Sequence, residues 1–209
     1  MSDRRPAALH TGVKRPDVPG AGREGGVDLT DLVTRAQHGD EEAFASLSVA
    51  VGNRLHAVSK RILRDADLAE DATQQALLTM WRKLPQLRDP GRFEAWAYRV
   101  LVQACYEEGR RRRRWAPNLH VLPDDLAAKG DQMAAVRDRD QLERGFRRLS
   151  IDHRAAVVLH HYLDLSPDEI AEVLGVPAGT IRSRLFYATK ALRAALEADE
   201  RPITREAIR

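Results

Sequence analysis

The sequence predicts an all-α protein built from two helical domains. Apolar residues recur every three or four positions over long stretches, which is typical of helices with one buried face. No stretch alternates apolar and polar residues as a half-buried strand does. Residues 115–136 break the helical pattern with two prolines, a glycine and a net charge of −2, which is typical of a linker. We therefore expect domains over 28–114 and 137–198, joined by a flexible acidic linker.

Composition limits the class of protein. A chain of 209 residues with 43% hydrophobic residues suits one or two small domains and is not wholly disordered. The apolar runs are too short for a membrane helix, and no signal-peptide core follows the N-terminus. The single cysteine, Cys105, can form no internal disulfide, which fits a reducing compartment. We expect a cytoplasmic protein without a membrane partner.

The first domain is expected to begin after a tail. Residues 1–27 hold five of the 13 glycines and three of the ten prolines, which predicts a flexible segment, and 199–209 form a second short tail. Asp28 is a plausible N-cap for a first helix, and Asp40 can cap a second one. The buried face of the second helix is then marked by Phe44, Leu47, Val51, Leu55, Val58 and Ile62.

Two further helices complete this domain. The third is predicted from about Asp67 to Leu84, because Pro85 cannot continue it. The fourth starts after Pro90-Gly91 and runs into five consecutive arginines, Arg110 to Arg114. Spacing on the third helix brings Glu70, Asp71, Thr73 and Gln74 near one another. This polar patch could dock onto a basic partner, or it could simply be acids at the favourable end of a helix.

The second domain contains a recognisable helix–turn–helix pattern. Ser166 and Glu169 form a capping box, and Pro167 suits the first helical position. Gly175 supplies a left-handed stop, and a second helix is expected to begin near Thr180 after a tight turn.

The second helix of this pair has two distinct faces. A spacing of 100° per residue puts Ile181, Leu185, Ala188 and Leu192 on one apolar stripe. The opposite side holds Arg182, Ser183, Phe186, Tyr187 and Lys190. Such side chains can read base edges and contact phosphates in a major groove. The alternative is a solvated basic face on a packing helix.

The segment LSPDEIAEVLGVPAGTIRSRLFYATKALR resembles region 4 of an extracytoplasmic-function (ECF) sigma factor, a specificity subunit of bacterial RNA polymerase. The resemblance implies that this helix reads the −35 promoter element. The DNA-facing positions of the family fall on Arg182, Ser183, Phe186 and Tyr187, and Lys190 lies on the same face.

The first domain carries matching motifs. The segment AEDATQQ is similar to region 2.2 of sigma factors, which implies that Glu70, Asp71 and Gln74 bind the clamp helices of the polymerase β′ subunit. The segment FEAWAYRV resembles region 2.3–2.4, although Phe93 and Trp96 are expected to pack in the core. The loop from Gln86 to Arg92 resembles the loop that captures a flipped −10 base.

The end of the fourth helix is expected to face promoter DNA as well. Gln103 and Glu107 sit where the family often has DNA-facing polar residues. The neighbouring cations can neutralise backbone phosphates, or they can form a solvated helix end favoured by the macrodipole. The DNA-facing set of this domain is Arg92, Gln103, Glu107, Arg110, Arg111, Arg112 and Arg113.

Sites for catalysis, cofactors and metals are not expected. The sequence has no phosphate-cradling glycine loop and no zinc-type spacing, and His153, His160 and His161 lack a cysteine or evident carboxylate partner. The leading hypothesis is a non-enzymatic ECF sigma factor that binds core RNA polymerase through its β and β′ subunits and binds promoter DNA. An anti-sigma factor is a further candidate partner. The alternatives are a stand-alone helix–turn–helix regulator and, with no visible site, a hydrolase.

Overall fold

The prediction of an all-α fold is confirmed. The computed structural model describes residues 28–115 and 142–199, and every regular element within these ranges is helical. The predicted tail at 1–27, the segment 116–141 with most of the expected linker, and the residues after 199 lie outside the described part of the chain.

Four α-helices form the first half. They are α1 (Leu29–Gln37), α2 (Glu41–Leu63), α3 (Ala66–Lys83) and α4 (Phe93–Trp115), with short 3-10 turns at Leu84–Gln86 and Pro90–Arg92. The side chains of Asp28 and Asp40 cap α1 and α2 as predicted. The third helix starts slightly earlier than predicted, because the carboxylate of Asp65 accepts a hydrogen bond from the Leu68 N–H at 3.0 Å and caps it.

Helix α2 lies at the centre of this half and packs against α1, α3 and α4. Its apolar stripe is buried as predicted, and the half-buried Phe44 contacts the Trp81 ring with centroids 4.8 Å apart. Helix α3 faces α2 with small side chains, Ala69, Ala72 and Ala76, all fully buried. Small residues at a helix contact let the two backbones approach closely.

The second half contains a helical stretch at 142–148, here called α5, followed by three further helices. These are α6 (Ile151–His161), α7 (Pro167–Leu174) and α8 (Ala178–Asp199). Helix α8 begins two residues before the predicted start, because the turn after Gly175 is short and the Thr180 N–H already donates to the Pro177 carbonyl at 2.9 Å. Helix α8 packs against both α6 and α7.

The two halves pack against each other in this structure. Helix α6 contacts α2 and α4, and α7 contacts α4. Ile151 and Ile170 belong to the same apolar core as Val58 and Leu101. The α4–α6 contact is close at Gly109, where a Cβ atom would lie 3.0 Å from Cδ1 of Ile151. An alanine at position 109 would therefore require the Ile151 side chain to shift by a few tenths of an ångström.

Candidate nucleic-acid and polymerase interfaces

The helix–turn–helix is formed by α7 and α8, and its bend is fixed by local interactions. The Glu169 carboxylate accepts a hydrogen bond from the Ser166 N–H at 2.7 Å, and the Ser166 hydroxyl accepts one from the Glu169 N–H at 3.3 Å. The Ser166 hydrogen bonds hold the pKa of Glu169 below its ordinary value. Gly175 ends α7 with φ +66°, a conformation that costs glycine little.

The second helix of this motif presents the two faces that its sequence predicts. Ile181 and Ala188 are fully buried, while Leu185 and Leu192 are half-buried against the core of the second half. The opposite face is exposed along its length, with Arg182, Ser183, Phe186, Tyr187 and Lys190 all open to solvent. The rings of Phe186 and Tyr187 lie 5.5 Å apart and remain 64% and 59% exposed. Neighbouring exposed aromatics of this size indicate a binding surface rather than a core.

Two arginines of α8 have different surroundings. One Nη of Arg182 lies 3.0 Å from each carboxylate oxygen of Asp168 on α7, and both side chains are more than half exposed. Arg184 instead turns toward α6, where it pairs with Asp152 at 3.1 Å and is only 21% exposed. Arg182 is therefore on the open face, whereas Arg184 joins α8 to α6.

Three of the four predicted members of the polar patch on α3 are exposed. Glu70, Asp71 and Gln74 are open to solvent, and the Gln74 amide donates to the Glu70 carboxylate at 3.2 Å. The prediction that Thr73 joins them is wrong, because Thr73 is only 7% exposed. Its hydroxyl donates to the Ala69 carbonyl at 2.7 Å inside the α2–α3 contact.

One residue of this surface escaped sequence reasoning. Leu78 lies on α3 one helical turn beyond Gln74 and is 50% exposed. A leucine in a helical pattern is normally assigned to the core, so only the structure shows that it extends the polar patch.

The predicted DNA-facing residues at the end of α4 are all exposed. Gln103, Glu107 and the cations Arg110, Arg111, Arg112 and Arg113 lie open to solvent. Two of these arginines form ion pairs with acidic side chains of the same half. Arg111 lies 3.5 Å from Asp71, and Arg112 pairs with Asp65. The arginine run and the polar patch on α3 are therefore neighbours in space.

The loop between α3 and α4 lies against the second half. Arg92 forms an ion pair with Glu172 on α7. A groove of about 270 Å³ opens beside them, lined by residues from the loop, from α4 and from α7, including Trp96, Arg99 and Val173. Phe93 is 2% exposed and belongs to the core as predicted, and Trp96 is half-buried with its ring 6.0 Å away.

The cysteine and histidines singled out in the sequence have structural contacts where the structure describes them. Burial raises the pKa of the Cys105 thiol to about 12, so it is not a nucleophile at neutral pH. His153 contacts the Ser150 hydroxyl and His160 the Leu165 carbonyl. Within 28–115 and 142–199, no three potential metal ligands come together. No helix in these ranges is long and apolar enough to span a bilayer.

Comparisons with known proteins found a matching family model for each half of the chain. Family models for Sigma-70 region 2 and Sigma-70 region 4 match residues 48–115 and 139–192. The RNA polymerase sigma-H factor of Pseudomonas aeruginosa is 32% identical over 190 residues, covering 84% of this chain and 95% of the relative. The ECF RNA polymerase sigma-E factor of Haemophilus influenzae is 31% identical over 175 residues, covering 77% and 92%. The chain belongs to the ECF family of RNA polymerase sigma factors.

Two solved structures resemble this ECF sigma factor in fold. The structure of CnrH in complex with the cytosolic domain of CnrY has a TM-score of 0.58 and 25% identity, covering 82% of this chain and 98% of that one. The sigma factor RpoE from Bartonella quintana, in complex with the anti-sigma factor NepR, also has a TM-score of 0.58, with 26% identity and coverage of 75% and 98%. Both likenesses extend across the two halves of the chain.

Proposed function

We propose that this sigma factor selects promoters by placing the exposed face of α8 in the major groove of the −35 element. The single observation that carries the proposal is the composition of that face, where Arg182, Ser183, Phe186 and Tyr187 are all solvent-exposed on one helix. A major groove admits one α-helix, and these side chains match guanine edges, phosphates and thymine methyl groups. Lys190, one turn further on, would contact the DNA as well.

The first half supplies the second DNA contact and the attachment to polymerase. Glu70, Asp71 and Gln74 would bind the clamp helices of β′, with the exposed Leu78 as an apolar contact in the same surface. The loop ending at Arg92 would receive the −10 element. The side chains at the end of α4, Gln103, Glu107, Arg110, Arg111, Arg112 and Arg113, would line the path of the DNA. A DNA contact by Arg92 would compete with its ion pair to Glu172.

The chemistry of transcription would belong to the polymerase. On this proposal the chain contributes recognition, and it supplies no catalytic group or cofactor. We propose the cytoplasm as its location, since its partners are polymerase and promoter DNA. The two solved neighbours are bound to other proteins, CnrY and the anti-sigma factor NepR, which makes an anti-sigma factor a candidate third partner.

Association with polymerase distinguishes this proposal from a stand-alone helix–turn–helix regulator. A regulator needs only the α7–α8 motif, whereas the exposed patch on α3 has no role in it. The test is to mix the purified chain with core RNA polymerase and to select, from a library of random DNA duplexes, the sequences that the complex binds. We expect a stable complex that selects two spaced sequence elements. Selection of one element by the chain alone, without polymerase binding, would favour the regulator.

A further inference from the structure

Arg111 lies where two surfaces with different proposed partners meet. It belongs to the arginines at the end of α4 that would contact DNA, whereas Asp71 on α3 would contact the polymerase. One Nη of Arg111 lies 3.5 Å from a carboxylate oxygen of Asp71, and both side chains are more than half exposed. Each of the two charges is therefore engaged with the other while both external partners are absent.

A second carboxylate holds the other side of the Arg111 guanidinium. Glu108 lies one turn earlier on α4, its side chain is only 10% exposed, and its carboxylate is 3.3 Å from the Arg111 Nε. A guanidinium presents several N–H donors in a fixed fork, so its Nε and Nη atoms can serve different acceptors. Glu108 keeps the Nε side of Arg111 on α4, while the Nη atoms can change partner.

The contact between Arg111 and Asp71 is of a kind that exchanges easily. A separation of 3.5 Å is long for a hydrogen bond, and an exposed ion pair shifts an equilibrium by at most about fivefold. A basic group that approaches Asp71 would be repelled by the Arg111 cation and would have to displace it. Arg111 therefore competes with a basic partner for the Asp71 carboxylate.

The neighbouring ion pair of the arginine run has a different setting. Arg112 pairs with Asp65, whose side chain is 24% exposed. The other carboxylate oxygen of Asp65 accepts a hydrogen bond from the Leu68 N–H at 3.0 Å and caps α3. Asp65 thus has a structural task at the start of α3, whereas Asp71 has none there. Of these two pairs, the one between Arg111 and Asp71 joins the two proposed binding surfaces.

We propose that Arg111 couples polymerase binding to DNA binding by exchanging Asp71 for a backbone phosphate. The inference rests on the proposed function, since it takes the α3 patch as the polymerase surface and the end of α4 as a DNA surface. When a basic group of the polymerase engages Asp71, the Nη atoms of Arg111 are released to a phosphate. When a phosphate draws Arg111 away, Asp71 is released to the polymerase. Each partner therefore strengthens the binding of the other by the same factor.

The test is a double-mutant cycle on the affinity of the full chain for core RNA polymerase, measured by competition titration at low ionic strength without DNA. Arg111→Gln removes the competing charge and keeps a donor for Glu108, so it should bind core about two- to fivefold more tightly than the wild type. Asp71→Asn should bind more weakly, and adding Arg111→Gln to it should change nothing further. The control Arg114→Gln removes the same charge from an exposed position of α4 and should leave the affinity unchanged in both backgrounds.

The outcomes separate this inference from the proposed function. The inference is overturned if Arg111→Gln and Arg114→Gln have equal effects, or if Arg111→Gln tightens binding as much in Asp71→Asn as in the wild type. If Asp71→Asn binds core as tightly as the wild type, the assignment of the α3 patch is overturned together with the inference. Arg111→Lys covers the case in which Arg111→Gln does not fold. Its ammonium can pair with Glu108 but lacks the fork that reaches both carboxylates, so it should also bind core more tightly than the wild type.

Discussion

Replacing Arg182 with alanine should remove the preference of the polymerase complex for one base pair of the −35 element. Arg182 is on the open face of α8, and its ion-pair partner Asp168 is also exposed. An exposed ion pair of this kind is worth about 0–1 kcal/mol. That cost of opening the pair is the same for every DNA sequence, so it cancels when two sequences are compared.

The magnitude of the effect follows from the base contact itself. A good bidentate contact from arginine to guanine discriminates against the wrong base by about 1–3 kcal/mol, which corresponds to roughly 5- to 150-fold in affinity. Arg182→Ala should lose this discrimination at one position and leave the other positions unchanged. Asp168→Asn should instead raise affinity for all sequences by less than about fivefold, because it removes only the competing partner.

The assay is the affinity of reconstituted holoenzyme for every single substitution in the −35 element at two salt concentrations. Lys190→Ala is the matched control, since it removes a cation from the same face and should weaken all sequences equally. If Arg182→Ala also weakens all sequences equally, Arg182 contacts a phosphate. The base-reading surface would then have to lie toward Ser183 and Phe186.

Three further outcomes are expected. Asp71→Arg combined with Gln74→Ala should weaken binding to core polymerase in a titration, at a stability cost of only about 0.5 kcal/mol; unchanged affinity would refute the assignment of the α3 patch. Alanine at Arg111–Arg113 should weaken holoenzyme binding to all promoters and reduce the log–log salt slope by about one per lost phosphate contact; an unchanged slope would show that these arginines do not touch DNA. In urea unfolding, Glu169→Gln should be less stable than the wild type at pH 7, and the difference should disappear at low pH.

The pH dependence of the last variant follows from the direction of the pKa shift. The pKa of Glu169 is lower in the folded protein than its ordinary value of 4.5, because of the Ser166 hydrogen bonds. Its charge therefore stabilises the fold above pH 4.5, and this contribution is lost as the pH falls through the lowered pKa. A stability difference that persists unchanged at low pH would mean that the carboxylate charge does not stabilise the start of α7.

Local chemistry explains which parts of the fold the sequence could predict. The ends of α7 were predictable because Ser166, Glu169 and Gly175 act on backbone groups within one turn of themselves. The two faces of α8 were predictable for a similar reason, since helical geometry alone separates Ile181 from Arg182. The predicted starts of α3 and α8 were one and two residues late. The reason is local in each case, because Asp65 caps α3 and the Pro177 carbonyl already accepts a hydrogen bond at the start of α8.

Contacts between distant segments could not be predicted in the same way. The pair between Arg92 and Glu172 joins residues 80 positions apart, and nothing in either segment specifies the other. Thr73 has the same spacing as the residues of the polar patch, but it faces α2 because that side of α3 is lined with alanines.

This chain recognises promoters as a subunit of RNA polymerase. The most direct measurement is transcription from a library of promoter templates by core polymerase with and without the chain. We expect specific initiation only when both are present, and its loss with Asp71→Arg/Gln74→Ala but not with the control Glu41→Arg/Ser46→Ala, which changes exposed residues of α2. The claim would be contradicted if the chain bound no core polymerase and left initiation unchanged, while still binding specific DNA by itself.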